Sequence, residues 1–135
     1  MEDQVKHGVR VDHVALWVRD LERLRAFYVE RLGGRSGPLY QNPGSGFRSY
    51  FVSFGEGARI ELMSRDDVGP APGAETPAGY AHVALSVGSR SAVDALVAAL
   101  ERAGFAVAGR PRTTGDGYYE AVVLDPEGNR IEITG

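Results

Sequence analysis

Apolar and polar residues alternate from Val9 to Val18 (VRVDHVALWV), and the β-branched residues among them predict a strand. Val14, Leu16 and Val18 then share one face, and His13, Ala15 and Trp17 share the other. The period changes in RDLERLRAFYVERLGG, where Leu21, Leu24, Phe27, Tyr28 and Leu32 recur at three and four residues. That spacing predicts an amphipathic helix, with Asp20 as its N-cap and Gly33-Gly34 as its stop. Residues 35–46 are rich in Gly, Ser, Asn and Pro and read as loop. Residues 47–54 (FRSYFVSF) and 58–63 (ARIELM) read as the strands of a hairpin around Gly55-Glu56-Gly57. Residues 65–79, with three prolines and three glycines, read as a linker.

The pattern then starts again. Residues 80–87 (YAHVALSV) predict a strand, and residues 89–103 a helix with Val93, Leu96, Val97 and Leu100 on one face and Gly104 at its end. A short strand follows over 105–108, then a loop over 109–117. Strands over 118–124 and 129–134 flank the turn Asp125-Pro126-Glu127-Gly128. Two fragments recur in the same order. HVAL stands at 13–16 and 82–85, and RIE at 59–61 and 130–132. The histidines are 69 residues apart and the glutamates 71, as two copies of one unit would be if they differed by a short loop.

Composition narrows the function classes. The chain has 135 residues, enough for one domain with a core or two half-domains that share one. A net charge of −3 points to neither nucleic acid nor an anionic membrane surface as partner. There is no cysteine, so any metal must be held by nitrogen and oxygen. The first ten residues, MEDQVKHGVR, lack the apolar run of a signal peptide, and no apolar stretch approaches a membrane span. The expectation is a soluble cytoplasmic protein.

The alternation gives the repeats chemical content. Val14, Leu16, Ile60 and Leu62 take the core face of their strands, which puts His13 and Glu61 on the opposite face. By the same reasoning His82 and Glu132 face away from Val83, Leu85, Ile131 and Ile133. A single His or Glu on such a face is usually a solvated residue. Solvation gives no reason for both pairs to recur while neighbouring polar positions differ: Asp12 against Ala81, Trp17 against Ser86. Two imidazoles and two carboxylates suit zinc, nickel, cobalt, manganese or ferrous iron, and are too nitrogen-rich for calcium. His7 has no counterpart in the second half and reads as solvent-exposed.

Four stretches together resemble the vicinal oxygen chelate superfamily, the glyoxalase/bleomycin resistance protein/dioxygenase group: VDHVALWVRDLERLRAFYVERLGG, IELMS, YAHVALSV and VVLDPEGNRIEI. The resemblance covers about residues 9 to 135. It implies an α+β fold of two tandem βαβββ modules, 9–64 and 80–135, joined by the 65–79 linker. The resemblance implies that the modules form a cup-shaped mixed sheet around one divalent metal. It further implies one ligand from each of His13, Glu61, His82 and Glu132, the four-ligand set of glyoxalase I. Bacterial glyoxalase I has an arginine four residues after the first His and an asparagine four after the first Glu, which hold glutathione. Here Trp17 and Arg65 stand there, so those contacts do not carry over.

The resemblance implies a metal-dependent lyase or isomerase of glyoxalase type. Its small carbonyl substrate presents vicinal oxygens to the metal, and Glu132 or Glu61 moves the acidified proton. A dioxygenase or thiol transferase on the same scaffold, or a metal-free small-molecule or antibiotic-binding protein, are the alternatives. Trp17 and Phe51, with Ser49 and Ser53, are expected to line the substrate pocket, and Tyr119 to do so from the second half. A homodimer is the expected assembly.

Overall fold

The computed structural model describes residues 10–70 and 80–135. His7, the start of the first expected strand and most of the linker lie outside the described residues. The chain divides into two compact units, Met1–Gly69 and Pro70–Gly135. Each follows the order strand, helix, antiparallel strands.

In the first unit β1 (His13–Trp17) leads to α1 (Leu21–Ala26), whose N-cap Asp20 accepts the Arg23 N–H at 3.2 Å. The expected single α-helix is not continuous. Residues Phe27–Arg31 form a π-helical turn, with the Leu32 N–H donated to the Phe27 carbonyl. The widened turn buries the consecutive rings of Phe27 and Tyr28 together. Gly33, at φ +79°, ends it. Gly34 is a close approach, since a Cβ there would lie 2.4 Å from Val52 Cγ1.

The stretch expected as loop holds two short strands, β2 (Arg35–Ser36) and β3 (Tyr40–Asn42), both paired with β4 (Phe47–Ser53). They are polar and too short for an alternation signal. β5 (Arg59–Ser64) runs between β4 and β1, antiparallel to the first and parallel to the second. Val52, Ile60 and Leu62 are buried with Leu21, Leu24 and Phe27. Each fully buried side chain of this size contributes roughly 1.5–3 kcal/mol.

The second unit repeats the scheme with β6 (Val83–Ser86), α2 (Arg90–Arg102), β7 (Val107–Thr113), β8 (Tyr119–Leu124) and β9 (Arg130–Thr134), in the sheet order β6-β9-β8-β7. Ser89 caps α2 by accepting the Ala92 N–H at 3.1 Å. Its core is Val93, Val97, Leu100, Ala121, Val123, Ile131 and Ile133. β7 extends through Gly109 and Pro111, well past the expected end. It is an edge strand with register shifts, where a missing N–H and an irregular ladder are tolerated. The fold is α+β, built from two modules of βαβββ type.

Candidate functional site

Parallel pairing sets Ala15 opposite Glu61 in the first unit and Ala84 opposite Glu132 in the second. The alternation holds: Ile60 and Leu62 are buried, and His13 and Glu61 rise from the sheet face that α1 leaves uncovered. His13 Nε2 lies 3.5 Å from Glu61 Oε1. His82, one residue ahead of β6, places its Nε2 3.2 Å from Glu132 Oε2. Each unit thus brings together its own His–Glu pair. Among the described residues no group of three or more His, Asp or Glu side chains is gathered ready for a metal.

Sequence reasoning missed the support behind His13. Its Nδ1 stands 2.8 Å from Asp12 Oδ2, and the same oxygen accepts a bond from Arg59 Nη2 at 3.0 Å. The His13 bond, followed by that of Arg59, holds the Asp12 carboxyl below the ordinary carboxylate range. The Phe51 ring meets the imidazole edge-to-face at 5.1 Å, with the Arg59 guanidinium over its face at 4.2 Å. With the Nδ1 proton donated to Asp12, the Nε2 lone pair faces the Glu61 carboxylate. Two acceptors so placed fit a proton or a cation between them. This donor set, nitrogen and oxygen with an outer carboxylate, suits a divalent transition metal. The one available signal for Asp12 was its place beside His13.

Glu132 is positioned by the turn before it. Asp125 is buried, and its Oδ1 accepts the N–H groups of Glu127 and Asn129, each at 2.9 Å. Its Oδ2 accepts from Asn129 Nδ2 at 2.8 Å. The DPEGN stretch is therefore a carboxylate-centred turn that fixes the start of β9. Glu120 stands diagonal to Glu132 across the ladder, and that neighbouring carboxylate, with burial second, raises the Glu120 carboxyl above its ordinary value.

Trp17 and Phe51 lie on the His13–Glu61 face. Arg65 covers the Trp17 ring at 4.8 Å, so the two residues that replace the glutathione-holding pair stack on each other. Phe47 joins Trp17 at 6.2 Å and Tyr40 at 6.0 Å. Tyr119 does not share a face with Glu132. It falls on the side of Ala121 and Val123, and its hydroxyl donates to Asp94 of α2 at 2.5 Å. Strand parity decides this: Glu120 and Val122 share the Glu132 side, and odd positions of β8 face the helix. Among the described residues no helix is long and apolar enough to cross a membrane.

Residues 10–133 match the model of the glyoxalase/bleomycin resistance protein/dioxygenase superfamily. No curated protein matches. Among solved structures, the trypanothione-dependent glyoxalase I of Leishmania major is similar at a TM-score of 0.77 and 26% identity, over 95% of this chain and 87% of that one. A glyoxalase family protein from Enterococcus faecalis gives 0.79 at 21% identity, over 96% and 100%. Glyoxalase I from Zea mays gives 0.76 at 22% identity, over 93% of this chain and 44% of the larger enzyme. The chain belongs to the glyoxalase/bleomycin resistance protein/dioxygenase superfamily.

Proposed function

We propose that the protein is a metal-dependent lyase or isomerase of glyoxalase type that moves a proton on a small carbonyl substrate. The observation that carries this reading is the recurrence of one facing pair in both units, His13 Nε2 to Glu61 at 3.5 Å and His82 Nε2 to Glu132 at 3.2 Å. His13, Glu61, His82 and Glu132 are the proposed ligands of one divalent ion (zinc, nickel, cobalt, manganese or iron), drawn from one chain or from two copies in a homodimer. Such an ion polarises neighbouring substrate oxygens and acidifies the hydrogen beside them. Glu132 takes that proton on a carboxylate oxygen and returns it at the adjacent carbon, and Glu61 is its counterpart in the first unit. Asp12 keeps the His13 imidazole in one tautomer and one orientation.

A second reading is a metal-free small-molecule-binding protein. The half-exposed Trp17 and Tyr40 rings favour it, because aromatic surface of this kind binds ligands without a metal. Elemental analysis of the wild type beside the variant His13→Ala, Glu61→Gln, His82→Ala, Glu132→Gln separates the two. About one transition metal for each four-ligand set, lost in the variant, is the expected result. A protein that takes up none of the five metals when they are supplied overturns the catalytic reading in favour of the binding protein.

A further inference from the structure

We infer that the first unit carries a subsite for an aryl group, formed by Trp17, Met63, Phe47 and Tyr40 beside the His13–Glu61 pair. The inference rests on the proposed function in one respect, that the substrate's oxygens lie at that pair. The register puts the four side chains together. Trp17 is opposite Met63 across β1 and β5, Met63 is opposite Ser49 of β4, and Phe47 lies two residues before Ser49. Tyr40 of β3 is opposite Ser49 from the other side.

Trp17 and Phe47 are perpendicular, at 88°. They nevertheless remain open, with Trp17 47% and Tyr40 55% exposed. Ala15, opposite Glu61 and between His13 and Trp17, is the smallest side chain on that stretch of the face. Phe51 flanks Glu61 in that same row, His13 lies in the next row one way, and the Trp17 row lies the other way. Two residues of strand, about 7 Å, separate the Glu61 row from the Trp17 row, the reach of one aromatic ring.

Charge selects against an anionic occupant. The guanidinium nearest the ledge, Arg65, is bound by both Asp67 oxygens, at 2.7 and 3.1 Å. Arg59, over Phe51, is bound by Asp12. Of the cations on this face, these two stack on rings and are already paired, and Arg35, opposite Ser53, stands on the Arg59 row away from the ledge. An uncharged planar ring gains edge-to-face contact there, and a carboxylate finds its partners taken.

The test uses the full chain loaded with zinc or nickel, in calorimetric titrations with benzohydroxamate and acetohydroxamate. The two offer the same vicinal oxygens and differ in phenyl against methyl. The subsite predicts that the phenyl compound binds about tenfold more tightly. Trp17→Ala, Phe47→Ala and, at the exposed rim, Tyr40→Ala each shrink that ratio, with bound metal unchanged. Equal affinities in the wild type, or a ratio that survives all three substitutions, overturn the subsite while leaving the metal reading intact. If the protein takes up no metal, the hydroxamates lose their anchor and the proposed function fails on its own account. The subsite is then read from the indole N–H resonance of Trp17, the one tryptophan in the chain, with benzamide against acetamide. A shift with benzamide alone supports it, and no shift overturns it.

Discussion

His13 meets Asp12 on its Nδ1 side, Glu61 on its Nε2 side and the Phe51 ring at its edge, whereas His82 follows Ala81 and faces Glu132. The faces around the two pairs differ in the same sense. Where the first unit sets Trp17, Met63 and Ser49, the second sets Ser86, Thr134 and Glu120. The backbone register has been kept and the surroundings have diverged. On the proposed function, such divergence divides the work: an aromatic, clamped half to position a ligand, and an acidic half to move a proton.

The sharpest way to break that division is to compare the two glutamates. Glu132→Gln is expected to slow carbon–hydrogen exchange by about 10²–10⁴-fold, the usual contribution of a general base. Glu61→Gln is expected to slow it less, because Glu61 has the Phe51 ring as its cross-strand neighbour, whereas Glu132 has the Glu120 carboxylate diagonal to it. Deuterium exchange at the α-carbon of 2-hydroxyacetophenone in heavy water, followed by proton NMR on metal-loaded protein, gives both numbers. Equal losses, or a larger loss for Glu61→Gln, end the assignment of the base to the second unit.

Next in size is the outer carboxylate. Asp12→Asn keeps the shape but removes the charge that orients His13, and losing such a partner weakens metal binding by about 10–100-fold. The reciprocal change sharpens the comparison. Ala81→Asp writes the first unit's carboxylate ahead of His82, where Arg130 already repeats Arg59, and is expected to tighten metal binding. Competition against a chromophoric chelator measures both. Unchanged affinity in Asp12→Asn contradicts the positioning role.

Strand parity and the repeat made most of this legible without coordinates. The two His–Glu pairs and the face each pair occupies follow from a period of two, and the Asp20 cap from where the helical period begins. Three kinds of feature did not. The π-helical turn over Phe27–Arg31 leaves no mark in an apolar spacing that already reads as helix. β2 and β3 are edge pieces held by pairing to β4 rather than by their own alternation. Side-chain links such as Asp12–His13 and Tyr119–Asp94 depend on rotamers and on which neighbour arrives, which a sequence does not state. Tyr119 shows the hazard of a single-step slip. One position along a strand exchanges the open face that carries Glu132 for the helix face.

The turns before the strands that carry Glu61 and Glu132 extend the contrast to stability. The first unit turns on glycines, with Gly55 at φ +77° and Gly57 at φ +100°. The second turns on the buried Asp125 carboxylate and the three bonds it accepts. Asp125→Ala is expected to cost about 1–3 kcal/mol, by leaving donors of the turn unpaired. Gly55→Ala is expected to cost about 1 kcal/mol, from strain at a positive φ alone. Urea unfolding of the two variants gives the order, and a reversal contradicts the view that the second turn is held by its carboxylate.

The smallest expected effect concerns a feature the two units share on their covered faces. Tyr50 donates to Glu22 of α1 at 2.6 Å, and Tyr119 to Asp94 of α2 at 2.5 Å, so each unit ties a strand hydroxyl to a helix carboxylate. Arg25 lies over the first ring and Arg90 over the second. In both cases the bond to the carboxylate is the main cause that raises the phenol above its ordinary value, with burial second. A group whose pKa is higher folded than unfolded contributes stability that is present below the unfolded value, about 10 for tyrosine. That contribution is lost as pH rises through the folded value. Tyr50→Phe and Tyr119→Phe should therefore be less stable than wild type at neutral pH, and the difference should close in alkaline solution. Tyr50, the more buried of the two, should show the larger gap. Thermal unfolding across that pH range tests it together with tyrosinate absorbance. A gap that stays constant with pH would mean the ties act through packing rather than through the hydroxyl proton.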